Sequence, residues 1–463
     1  MSKVIRVQRG VMAVFLKEGR WYGATLLAAA LMGGCAATPS PTTTQPGAPA
    51  AASEQTPTEP GATTPTTASL GVPDMTALTQ TTCPKEAASY EEWVARFGAY
   101  ALHQGQHEKV IRTAFAGVYE NPQIRDRAAK QPEFVTPVWS YLDRAVSPER
   151  IARGQAKLPA NRAILAEIER DYGTNANILM GIWGIETDFG NNFGDVNVFE
   201  ALSNVGFGTS RKDFACTELL SALKIAAAGH IAPQDMVGSW AGAMGHSQFL
   251  PSNYLTIAVD RDRSGAPDLW TSMPDVFAST ANHLVRDGWQ RGLPWGFEVR
   301  LPVGFPYQEA ELDIAKPVSE WKKLGVTRFD GSPLPALTGE TSILLLAGHR
   351  GPAFLTTQNF KAILKYNFST SYALSVAYLG DRVMGGKGIQ GKWPVDEPQL
   401  NLAEREEIQQ RLVGLGYLEG AVDGVIGLKT RKAIRQFQLR AGLPADGFAT
   451  KSLLAEMRRR MAG

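Results

Sequence analysis

Cysteine is scarce, with Cys35, Cys83 and Cys216 the only three in 463 residues. None stands in a C-x-x-C pair, which argues against structural zinc and thioredoxin-like chemistry, and three cannot staple a disulfide-rich scaffold. An excess of one charge is also lacking. The 47 Lys and Arg set against 45 Asp and Glu leave a formal net charge of +2, so bulk electrostatics gives no reason to expect a nucleic-acid partner. The six histidines suggest no zinc site. No apolar run reaches the ~20 residues of a permanent membrane-spanning helix. What is present is ordinary for a folded chain: 44% hydrophobic and 20% charged residues, and room for about three folding units at roughly 150 residues each.

The first 35 residues read as an export signal. Lys3, Arg6, Arg9, Lys17 and Arg20 make a basic leader, and Ala24 to Met32 is a short apolar stretch. It ends in Leu31-Met32-Gly33-Gly34-Cys35, which resembles a bacterial lipobox with Cys35 as the lipidated residue. Met32 departs mildly from the Leu more usual there. Ala36 rather than Asp after the cysteine favours, by the same analogy, the periplasmic face of the outer membrane. Residues 36–82 are nearly all Ala, Thr, Pro, Ser and Gly, a composition expected to form a disordered tether. Fully extended, it would reach on the order of 140 Å. Export into an oxidising compartment leaves Cys83 and Cys216 either bridged or as two free thiols.

Beyond the tether the apolar spacing is mostly helical. Trp93, Phe97 and Tyr100 share one face, Ile164, Ile168 and Tyr172 another, and Ile178–Phe189 and Glu218–Ala228 are further helix candidates. Phe297–Leu301 and Thr341–Leu346 read better as strands. The expected architecture is mainly α: an α-rich domain over 83–385 with a small β-containing insertion, a linker over 386–400, and a small helical unit over 401–463.

One segment carries candidate chemistry: Ile182-Trp183-Gly184-Ile185-Glu186-Thr187-Asp188-Phe189-Gly190. On a helix Trp183, Glu186 and Gly190 share a face, and Glu186 sits among Ile182, Trp183, Ile185 and Phe189. Apolar surroundings disfavour the charged carboxylate and suit a general acid. Read locally, a surface Glu on an amphipathic helix fits as well. Asp188 points elsewhere by helical geometry. Further along, Ser239-Trp240-Ala241-Gly242-Ala243-Met244-Gly245-His246-Ser247-Gln248-Phe249-Leu250-Pro251-Ser252 is dense in small residues, as a backbone lining a tight cleft would be.

With the block Tyr366-Asn367-Phe368-Ser369-Thr370-Ser371-Tyr372-Ala373, these segments resemble the lytic murein transglycosylase B family, membrane-bound lytic transglycosylases, over about residues 83–385. The resemblance implies a goose-lysozyme-like α domain that cleaves the β-1,4 bond between N-acetylmuramic acid and N-acetylglucosamine in peptidoglycan without water. The muramyl O6 closes on its own anomeric carbon, leaving a 1,6-anhydro end. It implies Glu186 as acid and then base, Ser239 and Gln248 near the reacting sugar, and Tyr366, Asn367 and Tyr372 orienting the acetamido group or supporting Glu186. A tethered nucleophile explains how one carboxyl suffices where other glycosidases need two. Asp213 or another distant carboxylate stays open as a second group. Trp183, Phe189, Phe193 and Trp240 either stack on sugars or pack in the core, and His246 is expected on the cleft wall.

Asp260, Asp262 and Ser264, followed by Gly265, have EF-hand-like spacing, but Thr271 stands where the closing Glu would be. Members of the resembled family close such a loop with a later Asp, here Asp275. The loop is therefore either a structural calcium site or a metal-free Asx turn; catalysis is expected to need no cofactor. The last unit, with Ile408, Leu412 and Leu415, an Asp423-Gly424 turn, Gly427, and Ile434 and Phe437, resembles the type 1 peptidoglycan-binding domain, a bundle of three helices. Expected partners are glycan strands, the outer membrane through the lipid, and other cell-wall enzymes. The competing readings are a muramidase that uses water and a catalytically silent wall-binding protein.

Overall fold

The structure, a computed structural model, describes residues 74–129 and 136–461. The proposed leader, Cys35 and most of the tether lie outside the described residues. Sixteen helices are described: α1 (Tyr90–His103), α2 (Glu108–Phe115), α3 (Pro122–Ala129), α4 (Val138–Ala145), α5 (Pro148–Tyr172), α6 (Ala176–Thr187), α7 (Val198–Gly208), α8 (Lys212–Ala227), α9 (Pro251–Ile257), α10 (Met273–Arg286), α11 (Val318–Lys323), α12 (Gln358–Tyr366), α13 (Thr370–Val383), α14 (Leu402–Gly414), α15 (Leu428–Ala441) and α16 (Lys451–Met461). No helix among the described residues is long and apolar enough to cross a membrane.

The tether ends sooner than its composition suggests. Met75, though inside the low-complexity stretch, is buried against α1. Its side chain occupies the space that a Cβ on Gly98 would need. A flexible thioether fills an irregular gap such as this glycine notch. Just beyond, Cys83 is disulfide-bonded to Cys216 of α8, with their Cα atoms 6.0 Å apart.

The centre of the larger domain is α6. From Ile178 to Thr187 every residue is buried, as expected for a helix apolar on all sides. It packs on α13 almost backbone to backbone. A Cβ on Gly181 would lie 2.1 Å from the carbonyl oxygen of Val376, and one on Gly380 would lie 2.0 Å from that of Asn177. The head of α13 is capped: Ser369 accepts a hydrogen bond from the Tyr372 amide. The helix expected to run to Phe189 stops at Thr187, because Asp188, Phe189 and Gly190 all take positive φ. Gly190 is therefore not on the face shared by Trp183 and Glu186.

The insertion is an antiparallel five-stranded sheet of order β4 (Lys316–Pro317), β6 (Glu340–Leu345), β7 (Ala353–Thr356), β3 (Gly296–Arg300) and β5 (Thr327–Arg328). Ile343 faces Leu355 in the β6–β7 register, and both join a core of their own with Val299 and Trp321. A separate two-stranded ribbon joins β1 (Val196–Asn197) to β2 (Val237–Gly238). The carboxy-terminal unit packs Ile408, Leu412, Ile434, Phe437, Leu454 and Met457 between α14, α15 and α16. It is docked rather than merely strung on: Arg435 is ion-paired with Glu311, Arg431 donates to the Leu345 carbonyl at 2.7 Å, and His349 Nδ1 meets Asp446 at 2.6 Å.

Candidate active site

Glu186 lies in the last turn of α6 and is only 3% exposed. Burial pushes its pKa up to about 8, and a hydrogen bond from Tyr372 offsets part of that rise. Tyr372 reaches it from the first turn of α13, donating to Oε1 at 2.5 Å. Burial and the neighbouring carboxyl hold Tyr372 well above the usual phenol range, so it remains a donor at every relevant pH. Near neutrality, then, the carboxyl is protonated and aligned, the condition for a general acid.

The residues around it fix its setting. Trp183, one turn before Glu186, donates from Nε1 to His246 Nδ1 at 2.8 Å, and Thr187 donates to the His246 carbonyl at 3.2 Å. The imidazole accepts there with Nδ1, and burial drives its pKa down to about 4, which keeps it neutral. Gly190 is needed beside it, since a Cβ there would sit 2.4 Å from the imidazole Cε1. The small-residue segment folds into tight turns. Ser239 Oγ accepts from the Ala243 amide at 3.1 Å, and Met244 and Phe249 exchange backbone bonds at 2.8 and 3.0 Å. Gln248 takes positive φ, and its Nε2 donates to the carbonyls of Phe193 and Gly245 at 3.2 and 3.0 Å.

The third block joins the same place from α12 and α13. Tyr366 donates to the Ser247 carbonyl at 2.6 Å and so braces the small-residue segment rather than Glu186. Asn367 is buried, and its Nδ2 has no hydrogen-bond partner. That amide donor is unsatisfied and closed to solvent. No carboxylate contributes to the pKa shift of Glu186. Asp213 is exposed on α8, and Asp188 is turned to Arg150 and Arg153. Of the four aromatics considered for sugar stacking, Trp183, Phe189 and Trp240 are core residues, and Phe193 alone is partly open. The Trp183–His246 bond was not readable in advance, because the two positions are 63 residues apart.

The acidic loop gathers Asp260, Asp262 and Asp275, each offering an oxygen within 4.8 Å of the others. Asp275 is fully buried and accepts from the backbone amides of Arg261, Asp262 and Asp268. Asp260 and Asp262 both accept from the Ser264 amide, whose hydroxyl turns to the Ala266 carbonyl. Three converging carboxylates fit a hard divalent cation, and the donor set is all oxygen.

Residues 89–381 match the family model described as Transglycosylase SLT domain, and residues 401–457 match that of a peptidoglycan binding domain. Membrane-bound lytic murein transglycosylase B of Escherichia coli (strain K12) is 29% identical over 276 residues, which cover 56% of this chain and 72% of the relative. SltB3 from Pseudomonas aeruginosa, solved in complex with NAG-anhNAM-pentapeptide and with NAG-NAM-pentapeptide, is 46% identical with a TM-score of 0.77, covering 80% of this chain and 100% of that one. The Escherichia coli lytic transglycosylase Slt35, solved in complex with calcium, is 26% identical with a TM-score of 0.55, covering 63% of this chain and 92% of that one. This chain belongs to the transglycosylase SLT domain family.

Proposed function

We propose that the chain is a peptidoglycan lytic transglycosylase that cleaves between N-acetylmuramic acid and N-acetylglucosamine and consumes no water. Glu186 gives its proton to the bridging oxygen as the C1–O bond breaks, releasing the N-acetylglucosamine hydroxyl. The muramyl O6 then attacks C1, its proton returns to Glu186, and a 1,6-anhydro ring closes. The observation that carries this reading is a buried, protonated carboxyl, held by Tyr372, on which no other carboxylate among the described residues acts. Asn367, next to the Tyr372 helix, would orient the substrate acetamido group once its buried amide is uncovered. Gln248 and Ser239 act by shaping the wall that the sugar meets.

The anhydro sugar bound by SltB3 supports the same outcome here. The carboxy-terminal unit holds the wall polymer, which raises the local concentration of glycan at the cleft. Cys35 as a lipid anchor would place the enzyme on the periplasmic face of the outer membrane, as the membrane-bound relative supports. Asp260, Asp262 and Asp275, with Ser264 beside them, would hold calcium as a structural clamp, which the calcium complex of Slt35 supports; the ion takes no part in the chemistry.

Mass analysis of products released from purified sacculi tests the reading. Muropeptides lighter by one water than reducing-end products are expected, and Glu186→Gln abolishes their release while sacculus binding persists. Free reducing ends would mean a muramidase, and binding without release a silent wall-binding protein.

A further inference from the structure

The chain leaves α6 through a strained turn. One residue after the helix ends, Asp188, Phe189 and Gly190 take φ of 51°, 59° and 85° in succession. Glycine adopts the left-handed region freely and aspartate tolerates it, so the run needs outside support most of all at Phe189. Asp188 and Phe189 both receive it from α5. The Phe189 ring fills a notch between helices: a Cβ on Gly154 of α5 or on Gly184 of α6 would lie 2.5 Å from its Cζ. The Asp188 carboxylate accepts from Arg150 Nε at 3.2 Å and from Arg153 Nε and Nη2 at 3.0 and 2.9 Å. Arg150 also donates from Nη1 to the Ala145 carbonyl at 2.7 Å, at the end of α4. Tyr141, on that same helix, bears electrostatically on Tyr372. The guanidinium of Arg150 thus ties together α4, α5 and the turn directly beyond Glu186.

We propose that Asp188 is a positioning residue for the transglycosylase reaction: through Arg150 and Arg153 it holds the strained turn after α6, and so fixes how deeply Glu186 is seated against Tyr372. The proposal rests on Glu186 being the acid. The ion pair is where α5 grips the turn by charge, and Phe189 is where it grips by shape. With the charge removed, the turn relaxes toward ordinary backbone angles, and the last turn of α6, with Glu186, loosens toward solvent.

The groups facing Glu186 are Tyr372 from α13 and Tyr366 from α12, with Tyr141 behind Tyr372 and Asp287, after α10, acting on Tyr366. Tyr366 and Tyr372 are held well above the usual phenol range, so proton loss from Glu186 sets the high-pH limb of activity. Asp188→Asn isolates the charge, because asparagine tolerates the left-handed backbone. On soluble glycan strands, kcat for anhydro-product release should fall ~10-fold, with KM within about two-fold of the parent. The high-pH limb should move down by about one pH unit, since a less sealed carboxyl ionises earlier. Arg153→Gln removes half of the clamp at a side chain 41% exposed; it should shift the limb in the same direction by less, and it carries the test if Asp188→Asn fails to fold. A limb that stays in place in the folded variants overturns the proposal, whatever happens to kcat or Tm. Glu186→Gln with parental activity would instead remove the reading of Glu186 on which it depends.

Discussion

A neutral carboxyl in the interior is a liability for stability as well as a tool for chemistry. Unfolded, Glu186 has a pKa of 4.5, and folded it has one of about 8. The native state therefore holds the extra proton, and stability falls as pH rises between those values, by up to ~1.4 kcal/mol per unit. Glu186→Gln removes that dependence. Its Tm should match the parent near pH 4 and exceed it increasingly toward pH 8, as thermal melts across that range would record; an equal offset at all pH values would mean that the carboxyl is not sealed. Tyr372→Phe makes a complementary case. The lost hydrogen bond lowers the carboxyl pKa in the parent, so the variant's high-pH limb should move upward, opposite to that of Asp188→Asn. Its kcat should still fall by roughly ten-fold, because the proton is no longer aimed. A pH–rate profile of the two variants side by side separates alignment from burial.

The pairing of α6 with α13 brings Tyr372 to Glu186, and it depends on residues without side chains. Gly181→Ala would drive a Cβ into the Val376 carbonyl, backbone against backbone, where no rotamer can yield. The expected cost is about 3 kcal/mol, read by urea unfolding, with loss of turnover even in the folded fraction; Gly427→Ala, with nothing near it, serves as the control and should leave turnover unchanged. The amphipathic and all-apolar spacings made most of these helices legible, and the strands at Phe297 and Thr341 were legible from their turn-bounded runs. The apolar neighbours of Glu186 left its burial open, since a surface Glu fitted them as well; only together with the two later blocks did they point to it. The end of α6 was hidden because left-handed Asp188 and Phe189 have no local signature: their support comes from Arg150, Arg153 and Gly154 on another helix. Met75 was hidden for a similar reason, since its partner, the gap at Gly98, appears only when α1 is in place.

Composition marked residues 401–463 as a separate unit, but separateness in sequence did not extend to the assembled molecule. The pairing of Arg435 with Glu311 is largely buried, and their positions are too far apart for any spacing rule to connect them. His349 binds Asp446 through both its ring and its backbone amide, and Gly348, with φ of 65°, leaves space where a Cβ would press on that carboxylate. Such a junction fixes the wall-binding unit against the sheet, so that polymer held by one part is presented at a set distance from the cleft in the other. Removing a single partner of a buried pair strands a charge and typically costs 3–5 kcal/mol. Arg435→Ala should therefore break the docking while leaving the core of Ile408, Leu412 and Ile434 intact. Calorimetry should then resolve two transitions, with the smaller unit melting first, and digestion of sacculi should slow while cleavage of short soluble strands stays near the parental rate. A single transition with both rates unchanged would show that the junction carries neither stability nor geometry.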